Sequence, residues 1–367
     1  MIFIISFYVI SGYLIRLEFN ILTLKKENKM SNLETSYMGI HLKSPVIFGA
    51  CELTSKTDVL KKAEQKGVGA VVYKSIFEEQ IQMDNLMHDE LLEEYNDIHA
   101  EMVTNHPNVD RSEIEYYLHQ LRTAKESISV PVIASLNAVN DSSWIKYAKL
   151  IEQTGVDGIE LNLYQIPTSF DLDAATIEKN QIELVSKIKN SLSIPVSVKL
   201  SPDYTNVLNF AQQLDNVGVD ALVLFNAFFQ PDIAIEKEKH KKAFNLSNRG
   251  DYKKSLRYAG MLHGRIKADI CSSLGVFNGE DVIKLLLSGT SCVQVVSAVY
   301  KYGTSVISEI NRTLTEWMER RGYSSIEEFR GKLSDSVINK NDSMIIYKRA
   351  QYIDLLLNSD NVFGEKL

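Results

Sequence analysis

Four polar side chains stand at the ends of short apolar segments, or one residue before them, where they could bind a polar or anionic ligand. They are Lys74, Asn162, Lys199 and Asn226, in the segments GAVVYKS, GIELNLY, PVSVKLS and ALVLFNA. Short runs of Val, Ile and Leu bounded by turn residues are typical of strands buried on both faces. An ammonium or amide group is costly to bury there unless a partner uses it. The four residues therefore predict a binding site built from the ends of several strands.

Strand-like and helix-like segments alternate from residue 44 onwards, which predicts an α/β fold, a single (β/α)8 TIM barrel. The strands fall at SPVIFGA, GAVVYKS, VPVIASLN, GIELNLY, PVSVKLS, ALVLFNA, IKADICSS and SCVQVVSA. The carboxyl ends of the strands carry the active site in such barrels, so the four polar residues would meet there. A doubly wound open sheet is the alternative, but no Gly-x-Gly-x-x-Gly turn follows the first strand.

Two connections are too long to be plain loops: 76–111 after the second strand and 228–262 after the sixth. Both leave the end of the barrel where the site is expected, so we predict insertions that roof or wall it. The sequences GVDG and GVDA (155–158 and 218–221) each precede a strand and indicate two like units. We assign residues 30–333 to the barrel and 334–367 to a C-terminal tail.

The first 29 residues differ in character from the rest of the chain. They begin with the apolar run MIFIISFYVISGYLI, which is shorter than the roughly twenty residues that span a bilayer. The run also lacks the basic segment and the cleavage site of a secretory signal. We expect residues 1–29 to be an extension outside the fold, from a misassigned start. A weak membrane anchor is the alternative.

Composition excludes several classes of function. The net charge of −7 and the pI near 5.6 argue against nucleic acid as a partner. The three widely spaced cysteines are typical of a reduced, cytoplasmic protein rather than of a disulfide framework. The seven histidines form no HExxH motif and no Cys/His cluster, so we expect no metal site. The chain is predicted to be cytoplasmic and to bind neither nucleic acid nor membranes.

Seven strings match a known family through their order and spacing: SPVIFGAC, YKS, ELNL, VKLSP, FNA, GVFNGEDVIKLLLSGTSCVQVVSA and GYSSIEEFRGKL. Through them the chain resembles the dihydroorotate dehydrogenases from about Leu33 to Leu333. FEEQI and VPVIASLN point to the dihydroorotate dehydrogenase-like subgroup of FMN-binding barrels. The resemblance implies FMN-dependent oxidation of dihydroorotate to orotate, in de novo pyrimidine (UMP) biosynthesis. It also implies a homodimer.

The resemblance further implies roles for individual residues. Lys74 and Lys199 would lie beside the flavin, where a cation stabilises the negative charge of the reduced ring. Asn162 and Asn226 would hold an orotate-like substrate, and Asn162 would also contact the cofactor. The other cofactor contacts would lie at the ends of the first, seventh and eighth strands: Ala50, Cys51, Ser273, Gly275, Ser297 and Ala298.

The sequence departs from the family at the residue that moves the substrate proton. Family members place a Cys or Ser base in the turn after the fourth strand, where this chain has Tyr164 and Gln165. Cys51 is a substitute thiol or, on the other interpretation, a small core residue. The catalytic residue is therefore open. Two alternatives follow: an FMN barrel that acts on a different small substrate, and a flavin- or nucleotide-binding subunit without turnover of its own.

Overall fold

The computed structural model describes residues 31–77, 109–137, 141–163, 166–227, 230–241, 246–338 and 346–349. The strands are Thr35–Tyr37 (β1), Ile40–Leu42 (β2), Val46–Phe48 (β3), Ala70–Val72 (β4), Ile76–Phe77 (β5), Val132–Asn137 (β6), Gly158–Asn162 (β7), Val196–Leu200 (β8), Ala221–Leu224 (β9), Asp232–Ala234 (β10), Lys239–Lys241 (β11), Asp269–Ser272 (β12) and Cys292–Val295 (β13). The helices are Thr57–Gln65 (α1), Val109–Ser127 (α2), Asp141–Glu152 (α3), Ala174–Ser191 (α4), Val207–Asn216 (α5), Tyr252–Leu262 (α6), Gly279–Ser288 (α7), Ser297–Tyr302 (α8) and Ser305–Arg321 (α9).

Eight parallel strands close into a barrel within this part of the chain. Their order is β3, β4, β6, β7, β8, β9, β12 and β13, and β13 pairs with β3 to complete the ring. The predicted (β/α)8 barrel is thus confirmed, and the open doubly wound sheet is excluded because the sheet has no free edge. β5 continues the second barrel strand and pairs with β6.

The amino end of the barrel is closed by the β1–β2 hairpin. Tyr37, Met38 and Leu42 from this hairpin are buried among side chains that point into the barrel, such as Ile133 and Cys292. The Met38 N–H donates a hydrogen bond of 2.8 Å to the Asp269 carboxylate, which ties the hairpin to the start of β12. The amino end of the barrel interior is therefore filled by apolar side chains.

The two GVD sequences form the same hydrogen-bonded latch at two places on that amino end. Asp157 accepts hydrogen bonds from the Val132 N–H and from Lys125 of α2. Asp220 accepts them from the Val196 N–H and from Lys189 of α4.

A second repeated contact accompanies each latch. The Glu64 carboxylate binds the N–H and hydroxyl of Ser129, and the Glu152 carboxylate binds those of Ser193. The like units indicated by the sequence are therefore pairs of β/α units with a common way of fixing strand to helix.

The connection after the sixth barrel strand contains more structure than an insertion alone. The antiparallel hairpin β10–β11 follows β9, and α6 then completes the sixth β/α unit. The sequence predicts a single insertion over 228–262, whereas the structure places α6 at the end of this segment. The helix buries Tyr252, Met261 and Leu262 together with the small residues Ser255, Ala259 and Gly260. Most of the predicted insertion after the second strand, residues 78–108, lies outside the described residues.

Chain packing continues beyond Leu333. The Leu333 N–H donates to the Leu287 carbonyl of α7, and the Asp335 N–H donates to the Gly260 carbonyl of α6. Tyr347 is buried against Gly260, whose missing side chain makes room for the ring. The start of the predicted tail thus lies on the outer helices. No helix among the described residues is both long and apolar enough to cross a membrane.

Candidate active site

Six of the predicted site residues line one cleft at the carboxyl ends of the barrel strands. Its volume is about 620 Å³, including the part open to solvent. The predicted residues in its wall are Ala50, Lys199, Asn226, Ser273, Gly275 and Ser297. The wall also contains Ala227, Leu246, Ser247, Leu274, Val276, Gln294 and Val296.

Lys199 enters the cleft from below and belongs to a closed polar triangle inside the barrel. Its Nζ lies 2.9 Å from Oε1 of Gln294 and 3.4 Å from Oε1 of Glu160. The Gln294 amide in turn donates to Oε2 of Glu160. Glu160 is 1% exposed and Gln294 is 2% exposed, so the carboxylate has lost its water and is compensated by these two partners.

Strand geometry explains why these three side chains meet. Successive side chains alternate between the two faces of a strand, so Glu160 and Asn162 of β7 point into the barrel together. Asn162 and Lys199 are register partners on β7 and β8. Gln294 reaches the same point from β13 across the barrel. Glu160 and Gln294 were not predicted from the sequence, although the position of Glu160 two residues before Asn162 indicates that both side chains face the same side of the strand.

The triangle leaves part of Lys199 directed at the cleft. An ammonium group carries three N–H donors. Within the described residues, two of them point to Gln294 and Glu160. The third is available to a ligand in the cleft that Lys199 lines.

Asn162 and Asn226 lie together, as predicted. Nδ2 of Asn226 donates to Oδ1 of Asn162 over 2.9 Å, and the Asn226 backbone N–H donates to the Leu200 carbonyl. Asn162 is buried and reaches the cleft through Asn226 rather than lining it. The pair presents amide groups at the ends of the fourth and sixth barrel strands.

Lys74 and Cys51 stand beside the cleft without lining it. Nζ of Lys74 lies 2.6 Å from Oε2 of Glu52, in an ion pair that is partly exposed. A hydrogen bond joins the side chains of Cys51 and Tyr300. Burial raises the pKa of the Cys51 thiol, and burial followed by the neighbouring Cys51 raises the pKa of Tyr300 to about 12. Both groups are therefore protonated at neutral pH.

The loops after the seventh and eighth barrel strands are joined by a serine that sequence analysis did not single out. Ser247 donates from its backbone N–H and hydroxyl to Oγ of Ser297, and its Oγ accepts the Gly275 N–H over 3.1 Å. Ser297 and the buried Ala298 begin α8, whose first N–H groups have no partner within the helix. This corner combines hydroxyl groups with a helix start, which suits an anion.

Gly275 permits the close approach of two loops at this corner. Its φ is +63°, and a Cβ there would lie 2.7 Å from the Asn248 carbonyl and from the backbone nitrogens of Asp251 and Tyr252. Leu274 takes a left-handed conformation as well, with φ +70°. Leu274 and Val296 both line the cleft, on either side of this corner, and Gly275 is the glycine between the two loops.

The predicted proton-transfer turn, with Tyr164 and Gln165, lies outside the described residues. Among the described residues, no three His, Cys, Asp or Glu side chains are grouped as metal ligands.

Residues 32–318 match a family model described as dihydroorotate dehydrogenase. The chain is similar to three curated proteins that bear the name dihydroorotate dehydrogenase B (NAD(+)), catalytic subunit. The Thermoplasma volcanium protein is 28% identical over 309 residues, which cover 82% of this chain and 98% of that protein. The Methanocaldococcus jannaschii protein is 27% identical over 310 residues, covering 82% and 97%. The Pyrococcus abyssi protein is 28% identical over 311 residues, covering 82% and 98%.

Proposed function

This chain belongs to the dihydroorotate dehydrogenase family, and from that membership we propose that it is a flavin-dependent dehydrogenase that oxidises dihydroorotate to orotate in pyrimidine biosynthesis. We propose FMN as the flavin. The observation that carries the proposal is the cleft at the carboxyl end of the barrel. Its wall combines the Lys199 ammonium and the Asn226 amide with a serine-rich corner at the seventh and eighth strands, where barrels of this type bind phosphate.

The residues present fit a flavin mononucleotide. The third N–H of Lys199 suits the polar edge of the flavin ring, and Ser247, Ser297 and the start of α8 suit its phosphate. Ala50 would lie against the ring, with Ser273 and Gly275 beside the phosphate. When bound, FMN would accept the hydride that leaves C6 of dihydroorotate.

The protein would bind and orient both molecules. Lys199 would stabilise negative charge at the flavin edge, because an ammonium already oriented by its partners needs no rearrangement to do so. Asn162 and Asn226 would hold the planar ring of the substrate through their amides. Lys74, which is held by Glu52 at the rim, would approach the flavin from the second strand.

A second candidate is a flavin barrel that oxidises a different small substrate. It is favoured by the turn after β7, where Gln165 has no group that could accept the C5 proton of dihydroorotate. The Lys74–Glu52 ion pair favours it too, since a paired ammonium attracts an anionic substrate less.

We also propose that the chain works with a partner subunit. The similar proteins are named catalytic subunits of an enzyme that uses NAD(+), and that name implies a further subunit. This chain holds only three widely spaced cysteines, so a partner would have to supply any iron–sulfur centre. Two catalytic chains would form a homodimer within that assembly.

The visible spectrum of the purified chain tests the proposal first. We expect a flavin band, and release of the cofactor by heat followed by chromatography would identify FMN. Anaerobic dihydroorotate should then bleach the band. A flavin that binds but stays oxidised would reject dihydroorotate and leave the second candidate. The lack of any flavin, even after incubation with FMN, would reject both.

A further inference from the structure

We infer that Glu160 tunes the charge that the barrel presents to the flavin, by holding Lys199 as one half of a neutral buried pair. The inference rests on the proposed function, because it requires a flavin in the cleft above Lys199. It assigns a role to a buried carboxylate that neither binds the substrate nor reaches the cleft wall.

The contacts of Glu160 fix its charge against Lys199. One carboxylate oxygen lies 3.4 Å from Nζ of Lys199, and the other accepts the Gln294 amide. Gln294 also accepts a hydrogen bond from Lys199, so each member of the triangle orients the other two. At 1% exposure Glu160 has no solvent to screen its charge. Lys199 is therefore both held in place and offset in charge.

A flavin above Lys199 would experience the field of the pair, not that of a lone ammonium. Coulomb interactions fall only as the inverse of distance, so a carboxylate a few ångströms behind the ammonium cancels a large part of its effect. Replacing Glu160 by Gln keeps the size of the side chain and one acceptor oxygen while removing the charge. The reduced, negatively charged flavin should then be stabilised relative to the oxidised one.

The test is the reduction potential of bound flavin in the full chain. We expect Glu160→Gln to favour the reduced form by about tenfold, which is about 30 mV more positive for a two-electron couple. Spectrophotometric equilibration with a reference dye measures it. The affinity for sulfite, which forms an anionic adduct with oxidised flavin, should rise by a similar factor. Glu160→Asp keeps the charge and should stay near the wild-type potential.

Asp269→Asn is the matched control. Asp269 is a partly buried carboxylate at the amino end of the barrel, and it binds the Met38 N–H and the Ser291 hydroxyl instead of Lys199. Its replacement should leave the potential unchanged. A positive shift confined to Glu160→Gln supports the inference.

Other results would overturn the inference. If Glu160→Gln binds flavin with an unchanged or more negative potential, the inference fails and the proposed function stands. If the wild type binds no flavin, both fail. If Glu160→Gln does not fold, two other variants are compared: Lys199→Gln and the double variant Lys199→Gln/Glu160→Gln. The flavin of Lys199→Gln should have the more negative reduction potential, because only that variant keeps the Glu160 charge. Equal potentials would refute the role of Glu160.

Discussion

Replacement of Lys199 by Met should destabilise the protein strongly, even without flavin, because it leaves a buried carboxylate without its counter-charge. The charges of Lys199 and Glu160 lie 3.4 Å apart. At an effective dielectric constant of about 20 their attraction is about 5 kcal/mol, before the cost of desolvation is subtracted. Breaking one side of such a buried pair costs about 3–5 kcal/mol. We expect a loss of that size for Lys199→Met.

A double-mutant cycle separates this charge effect from lost packing. Removing both charges in Lys199→Met/Glu160→Gln should restore at least about 2 kcal/mol relative to Lys199→Met alone, since an amide at 160 can still bind Gln294. Urea unfolding followed by circular dichroism, at pH 7 and without flavin, gives each free energy of unfolding.

The matched control is Lys74→Met, which breaks the Lys74–Glu52 ion pair. Those side chains are 33% and 58% exposed, so the loss should be below about 1 kcal/mol. The electrostatic account of Lys199 is refuted if the double variant is no more stable than Lys199→Met. It is refuted equally if Lys74→Met costs as much as Lys199→Met.

Three further predictions concern the corner of the cleft, a half-buried histidine and the amino-end latches. Gly275→Ala should weaken FMN binding at least tenfold and lower the free energy of unfolding by more than about 2 kcal/mol, because the new Cβ would lie 2.7 Å from backbone atoms. The control is Gly155→Ala, where φ is +81° and no atom lies within 4 Å of the new Cβ. It should lower the free energy of unfolding by about 1–2 kcal/mol and leave FMN titrations unchanged. Burial, followed by the nearby Arg330, lowers the pKa of His263. As the pH falls through about 6.5, His263 therefore becomes protonated in the unfolded chain before it does so in the folded protein. Stability is lost from that pH down towards the pKa of His263 in the folded state. Urea titrations should accordingly show that the free energy of unfolding falls more for the wild type than for His263→Gln between about pH 7.5 and pH 5.5. Equal decreases in the two proteins would contradict the lowered pKa of His263. Asp220→Asn should lower the free energy of unfolding, measured by thermal unfolding, by about 1–3 kcal/mol and leave kcat and KM unchanged. An altered KM would contradict this prediction, because it would show that the latch affects the cleft.

The barrel and the location of its cleft could be predicted from the sequence for a physical reason. Parallel strands buried on both faces leave continuous apolar runs, and a barrel brings their carboxyl ends to one place. Lys199 and Asn226 were visible because a polar residue at the end of such a run requires a use. The local pattern was sufficient in both cases.

The partners of these residues could not be predicted in the same way. Glu160 and Gln294 lie on strands that face each other across the barrel, and no local pattern reports such a contact. Ser247 joins two other loops from within a connection that has no periodicity. Helix α6 was missed because it lies inside the same long connection, which was predicted to be a single insertion. Contacts between segments that are far apart in the chain could therefore not be predicted, because they form only when the sheet closes into a barrel.

The repeated latches at the amino end imply that the chain is modular. Asp157 and Asp220 fasten equivalent pairs of β/α units by the same bonds, far from the loops that form the cleft. A pair of β/α units could thus be exchanged with the equivalent pair from a related barrel that has the same latch. The aspartate, and the strand N–H and lysine that it binds, would then still be present where the exchanged pair meets the rest of the barrel. The loops at the other end would travel with the transplanted pair, so substrate preference could be recombined without redesign of the scaffold.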